Sequence, residues 1–405
     1  MSEDTPLVTT PLDPEDRIVA LDILRGLALG AMVLVHFHMR MRVEVNGIED
    51  LVAWGVWIFL EQKAWGTFAI LFGAGFAILL RRLEARRQPV YAVFLRRLAA
   101  LAFFGLCADV FFGFAILWEY ACLGVPLLLV RNWPTRALLV LAVIAACAAP
   151  VAAELSAWIA WWSKVPLPPP ARIALEAAVS ATEQHSSYAQ LMAARWARFV
   201  GLLPHTWRGF LPSSNLTLFI LGLLAVRHRV FEEPARHKRL IVAFMTFGFV
   251  SWALAWLLLG RIPDVVAPGA TWPLQFGLGL VQDQWLCFTY AGAVLLLLTF
   301  RPAWIARLQP VGRAGRMALT NYMVQAAVID VLASGYGFGL KLRPFAYAAG
   351  AAILFAAQCA VSSAWLARFL YGPFEWIWRG LTYARIPPLR RGLRAAGAAA
   401  IVGPP

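Results

Sequence analysis

Residues 17–38 read RIVALDILRGLALGAMVLVHFH, and after Arg17 only Asp22, Arg25, His36 and His38 interrupt an otherwise apolar run. A run of about 20 such residues crosses a ~30 Å hydrocarbon core as a helix. Lipid offers no partner to open backbone, so the run has to close its hydrogen bonds within itself. Working outward, comparable runs recur at roughly 64–80, 98–117, 118–130, 137–155, 214–226, 240–259, 274–300, 317–334 and 346–367. The pattern predicts an all-α fold, a polytopic transmembrane helical bundle of about ten spans. The 118–130 and 214–226 runs are short for a span and must borrow flanking residues or tilt little.

The composition agrees. Of 405 residues, 61% are hydrophobic and 14% charged, with a mean hydropathy of +0.67, outside the range of soluble domains. With the N-terminus inside, the cytoplasmic segments hold 24 Lys and Arg and the opposite segments 11, with Arg25 inside the first span. That bias obeys the positive-inside rule, and an even span count brings the C-terminus inside as well. The net charge of +14 then addresses anionic lipid headgroups in a bacterial-style inner (plasma) membrane, with the bilayer itself as partner and no role for nucleic acid.

The expected organisation is a flexible cytoplasmic tail at 1–16, a transmembrane half at 17–213, a second at 214–385 and a cytoplasmic tail at 386–405. Met1–Asp16 is acidic and Pro-containing, unlike a cleavable signal. The stretches 40–63 and 156–212 break the spanning pattern and fall outside. The second opens on VPLPPP at 165–170, an extended spacer, and continues as an amphipathic helix over 171–199 that carries Arg195 and Arg198. It suits a lid or acceptor platform over the bundle, or a plain interfacial helix. The five cysteines are scattered through apolar runs without metal-ligand spacing, so neither a disulfide framework nor a metal site is expected. Walker, nucleophile-elbow, HExxH and dinucleotide motifs are absent.

Ionisable residues inside a span are costly and point to function. Asp22 and Arg25 stand at i, i+3, and His36 follows Arg25 by eleven residues, about three turns, which puts both on one face some 16 Å apart. Two uses fit: Asp22 and Arg25 pair at the interface while His36 meets headgroups, or Arg25 holds a phosphate, Asp22 orients it, and His36 acts as general base. Arg313 and Arg316 lie on the membrane side of Arg25 and would complete a cationic pocket for a cytoplasmic donor. Asn321 and Gln325, at i, i+4, present two amides on one buried face, either to glue helices or to meet a ligand carbonyl. Glu375 and Arg379 read as an i, i+4 pair on an amphipathic cytoplasmic helix. Gly73 and Gly75 mark a close helix-packing site.

The LDxLR of the first span with its His eleven residues on resembles the opening of acyltransferase family three and of the heparan-alpha-glucosaminide acetyltransferase group. From the first span to about Ala384 the chain is similar to the YeiB-like family, which carries the domain of unknown function four-one-eight. KAWGTFAILFGAGFAILLRR at 63–82, LFILGLLAVR at 218–227, VGRAGRMALTNYMVQ at 311–325 and YGPFEWIWRGLTYAR at 371–385 carry that likeness. Where such proteins show a GLxH-like turn and then GDIL, this chain reads GLCADVFFGFAILWEY at 105–120. Cys107 or Ala108 replaces the His, Ala115 replaces the Asp, and Asp109 and Glu119 are the nearby substitutes.

The resemblance implies a membrane acyltransferase that moves an acyl group from a cytoplasmic acyl-CoA, without a resident cofactor, to an extracytoplasmic or lipid-linked acceptor. His36 would be catalytic, and Asp22, Arg25, Arg313, Arg316, Asn321 and Gln325 would bind substrate. A transporter or flippase of a small or lipidic solute, or a non-catalytic scaffold, are the readings from other classes.

Overall fold

The computed structural model describes residues 18–44, 47–114, 116–148, 171–183, 187–209, 214–259 and 271–391. The expected tail at 1–16, the Pro-rich spacer, Ala115 and all but the first residues of the tail at 386–405 lie outside the described residues.

Among the described residues the fold is helical, with two isolated bridges, Arg42 to Leu342 and Phe369 to Arg390, and no strand. The helices are α1 (Val19–Met41), α2 (Ile48–Phe59), α3 (Lys63–Ala85), α4 (Val90–Phe112), α5 (Ile116–Val130) and α6 (Thr135–Ala148). Then come α7 (Ala171–Glu183), α8 (Tyr188–Gly209), α9 (Ser214–Arg227), α10 (Lys238–Leu259) and α11 (Thr271–Phe300). The last are α12 (Ala303–Arg307), α13 (Gln309–Arg316), α14 (Ala318–Ala333), α15 (Pro344–Arg368) and α16 (Pro373–Tyr383).

Among the described residues four helical stretches are long and apolar enough to cross a membrane: Val19–Met41, Ile48–Ala85, Val90–Phe112 and Pro344–Arg368. Their outward faces are apolar. On α15, Phe345, Ile353 and Val361 recur every eight residues and are all exposed, and Leu95, Phe103 and Phe111 do the same on α4. Large apolar side chains exposed around a helix in this way are unfavourable in water and natural against lipid.

Two boundaries differ from expectation. The third run begins at Val90 and stops at Phe112, because Pro89 starts the helix and Gly113, at φ 79°, ends it in the left-handed conformation. Arg96 and Arg97 therefore lie within α4. The stretch 40–63 holds a 12-residue helix, α2, whose Ile48, Leu51, Trp54 and Trp57 are exposed. Its rise of about 18 Å is short of the hydrocarbon thickness.

α1 sits in the middle, packed on α3, α11, α13, α14 and α15. Apolar chains in lipid gain little from meeting one another, so close approach depends on small residues. Gly26 and Gly315 set the α1/α13 crossing: a Cβ on Gly26 would lie 2.0 Å from the Val311 carbonyl oxygen, and one on Gly315 2.0 Å from that of Asp22. The α3/α9 crossing is built the same way by Gly73 against Phe219 and Gly222 against Ile70. Two apolar cores result. One gathers Leu21 and Leu24 with α3, α5 and α9, and the other gathers Leu29 through Met41 with α14 and α15.

Candidate functional site

Between the two cores lies a cavity of about 330 Å³. Its α1 wall runs from Ile18 through Asp22 and Arg25 to Met32, about 21 Å of helical rise. The end near the start of α1 is cationic: Arg25, Arg82, Arg97, Arg316 and Arg379 line it against only Asp22 and Glu375. The other end is apolar and aromatic, closed by Met32, Phe68, Ile116, Leu117 and Tyr322. The volume falls at the low end of small-ligand sites.

Local structure explains who reaches the cavity. The glycine contact between α1 and α13 brings their backbones together, and the next residues, Arg25 and Arg316, both project into it. Asp22 accepts a hydrogen bond from Arg25 at 3.4 Å. Gly75 stands where a Cβ would lie 3.3 Å from the Arg25 guanidinium, so its role is to admit that side chain, whereas Gly73 alone is a packing glycine.

α16 closes the cationic end. Gly372 and Pro373 start it, and Trp378 donates its indole N–H to the Arg97 carbonyl at 3.0 Å while the Arg97 guanidinium lies 3.8 Å from the Trp378 ring centre. Glu375 does not pair with Arg379 as its spacing suggested. It accepts from the Thr320 amide at 3.0 Å and the Thr320 hydroxyl at 2.5 Å, and Arg379 lies over Tyr371. Capping the first turn of α14 is worth more to this carboxylate than a helix-surface partner.

Burial pushes the Glu375 carboxyl up from its ordinary value, against the pull of its hydrogen bonds from Thr320. A carboxyl that holds its proton more tightly folded than unfolded adds stability at acid pH and loses it as pH rises through the folded value. Wild type is therefore expected to gain thermal stability as the pH falls from neutrality toward the carboxylate range. In Glu375→Gln that gain flattens, and melting curves across pH check it.

His36 lies just beyond the apolar end. It is 2% exposed, its Nδ1 has no hydrogen-bond partner, and its ring sits 4.1 Å from that of Phe114 and 6.2 Å from that of Tyr322. Tyr322 thus touches the cavity on one side and the imidazole on the other. His38 instead shares a 2.9 Å hydrogen bond with Tyr347.

One turn past His36, Arg40 enters an ion network centred on Asp330 of α14, which is fully buried. Asp330 Oδ1 accepts from Arg40 at 2.7 Å, Arg195 at 2.5 Å and Ser334 at 2.9 Å; Oδ2 accepts from Arg195 at 3.0 Å and Tyr336 at 2.9 Å. Arg195 also reaches the Phe111 carbonyl at 3.0 Å, and Arg40 also pairs with Glu183 at the end of α7. Beside this network Arg198 holds Asp109 of α4 and, at 3.1 Å, Glu176 of α7. The α7/α8 hairpin is therefore clamped over the His36 end of the bundle by two arginines that its amphipathic pattern had suggested were surface residues.

Three expected binding residues are elsewhere. Gly312 and Gly315 take the face of α13 against α1, which turns Arg313 away from the cavity toward Gln309, whose side chain accepts its hydrogen bond at 3.1 Å. Asn321 is helix glue: it donates to the Ala314 carbonyl at 3.0 Å, satisfying the break between α13 and α14, and to Ser362 at 2.9 Å, while Gln358 donates to its carbonyl at 2.8 Å. Gln325 is fully buried, outside the cavity lining, and neither of its amide atoms has a partner. Asp22, Arg25 and Arg316 are brought together, with His36 at the far end. The sequence reading missed Arg40, Asp330, Tyr322 and Glu375 as site residues. Asp330 carried a signal, being the sole acidic residue between Asp283 and Glu375.

Comparisons with known proteins divide the chain. Residues 17–172 match the family model described as heparan-alpha-glucosaminide N-acetyltransferase, catalytic, and residues 225–385 match that of a protein of unknown function (DUF418). The chain is 27% identical to the uncharacterized protein YxaH of Bacillus subtilis (strain 168) over 94% of its own length and 98% of that protein. It is 28% identical to an uncharacterized 39.9 kDa protein in the amylase 3′ region of Bacillus acidopullulyticus, over 94% and 97%. An 85-residue stretch is 36% identical to the uncharacterized protein YeiB of Escherichia coli (strain K12), covering 21% of this chain and 20% of that one. The YeiB-like resemblance and the acyltransferase-like first span are both borne out. No solved structure matches the chain.

Proposed function

We propose that this YeiB-like chain, whose first 172 residues carry the acetyltransferase-type match, is a membrane acyltransferase of about ten spans in the bacterial inner membrane, with both termini in the cytoplasm. In that orientation the cationic end of the cavity faces the cytoplasm and His36 faces the extracytoplasmic side. The observation that carries the reading is the cavity itself, five arginines at one end and, at the other, an aromatic stop under an imidazole whose Nδ1 has no hydrogen-bond partner.

The donor is an acyl-CoA. Its phosphates lie at Arg25 and Arg316, with Asp22 orienting Arg25, and its linear pantetheine arm fills the apolar part. Arg25 and His36 are some 16 Å apart by helical rise, a span suited to that arm, so the thioester arrives at Tyr322 and His36. The acceptor, an extracytoplasmic or lipid-linked hydroxyl or amine, approaches under the α7/α8 hairpin. His36 takes the acceptor's proton as its oxygen or nitrogen attacks the thioester carbonyl. The carbon–sulfur bond breaks, and the thiolate leaves with the proton returned from His36. Tyr322, which touches both the cavity and the imidazole, marks where the arm ends.

Transport of an anionic solute is the second reading, favoured by the ion network that shuts the far end while the cavity opens toward the other. It predicts uptake without a covalent product.

Arg25→Ala tests the donor site. Purified protein is expected to bind acetyl-CoA, and the variant to bind it at least tenfold more weakly, since a charge-assisted phosphate contact contributes about 1.5–3 kcal/mol. Binding unchanged in a folded Arg25→Ala would remove the donor from this cavity.

A further inference from the structure

We infer that Arg313 and Arg391, beside the Arg316 that they share with the main cavity, form a second anion site, and that it recognises a phosphomonoester: the 3′-phosphate on the adenosine of the donor. The inference rests on the acyl-CoA reading above and extends it to residues outside the cavity.

A second cavity lies on the same end of the bundle, against the opposite side of α13. Its lining consists of Gln309, Arg313, Arg316, Leu366, Ala367 and Arg391. Among the described residues that line it three are arginines and none is a carboxylate, a cationic surface that suits an anion. Arg313 and Arg316 stand at i, i+3 on α13 and so share a side of that helix. Arg391 arrives from the segment after α16, tied to the Phe369 carbonyl at 3.5 Å. Guanidinium forks suit the oxygens of a terminal phosphate, which offers more of them than a diester.

Arg316 makes the connection, because it lines both cavities. The main cavity, about 330 Å³, is too small for a whole acyl-CoA, so a donor whose arm fills it must leave its nucleotide outside the mouth. A ligand anchored at Arg25 and Arg316 by its diphosphate carries its remaining phosphate onto the neighbouring surface, where Arg313 and Arg391 wait. The turning of Arg313 away from the cavity, unhelpful for holding the arm, then has a use.

A lipid headgroup offers related chemistry, and the experiment separates the two sources. Full-length protein in nanodiscs, with and without phosphatidylglycerol, is titrated with acetyl-CoA and with 3′-dephospho-acetyl-CoA. Wild type is expected to prefer acetyl-CoA by about tenfold, the scale of one charge-assisted contact, in both lipid mixtures. Arg391→Gln and Arg313→Gln should each cut that preference to about twofold while leaving the dephospho analogue's affinity unchanged. Equal affinity of wild type for the two donors overturns the inference and leaves the acyl-CoA reading intact. A preference that vanishes with phosphatidylglycerol, or variants that change retained anionic lipid but not the preference, assigns the site to a headgroup and overturns it too. Binding of neither donor overturns the acyl-CoA reading and this inference with it.

Discussion

Replacing His36 by Ala is expected to lower acyl transfer by about 10²- to 10⁴-fold, the usual contribution of a positioned general base, while acetyl-CoA affinity stays within about twofold. The separation follows from geometry. His36 lies beyond Tyr322 and outside the cavity lining, so the donor's phosphates and arm do not depend on it. Its loss removes a proton acceptor where the acceptor and thioester meet. Its substitution also leaves the Arg25 and Arg316 contacts alone. The check is donor binding by calorimetry beside release of free thiol in the presence of membrane lipid extract. Equal loss of binding and turnover in a folded variant would mean that His36 holds a helix in place and does no chemistry.

Asp330→Ala is expected to be the most damaging single substitution for stability. Asp330 is fully buried and accepts hydrogen bonds from Arg40, Arg195, Ser334 and Tyr336. Removing one member of a buried pair costs about 3–5 kcal/mol, because the remaining charge keeps its burial and loses its compensation. Arg195, itself fully buried, would be left with its Phe111 carbonyl and the more distant Glu183. Burial alone would lower the pKa of this guanidinium, yet the hydrogen bond and charge of Asp330 outweigh it and raise the value. The variant should unfold at markedly lower temperature in detergent, and limited proteolysis should cut first in the α7/α8 hairpin. Asp330→Asn, which keeps the shape and one acceptor oxygen but puts an amide donor in place of the other and loses the charge, should fall between. A melting temperature equal to wild type would show that the hairpin is not held by this network.

What the sequence made legible follows from which interactions are local. The apolar helices could be read because a helix in lipid must satisfy its own backbone, and that demand is written in each run separately. Asp22, Arg25 and His36 could be read because eleven residues of one helix fix their common face. Arg195 could not, since its partner is 135 residues away and an arginine on an amphipathic helix looks the same whether it faces solvent or a buried carboxylate. Arg40 was within reach: it follows His36 by one turn on the same helix, but it was assigned to the loop. Asp330 was within reach too, a lone acid in AAVIDVLAS at 326–334. Arg313 and Arg316 differ only in where two glycines turn the face of α13, which depends on the crossing with α1 and is invisible from spacing. Glu375 looked like a helix-surface partner for Arg379 because the tie to Thr320 joins residues 55 positions apart.

The central claim is that a thioester donor enters from the cationic end and stops at Tyr322 and His36. The most direct measurement is photoaffinity labelling of the full-length protein by an acyl-CoA with a diazirine on a short acyl group, mapped by mass spectrometry with unlabelled CoA as competitor. CoA-sensitive labelling is expected at Tyr322, Phe114 or the α1 residues around Met32 and His36. Label confined to the outer faces of the helices, or unaffected by CoA, would contradict it.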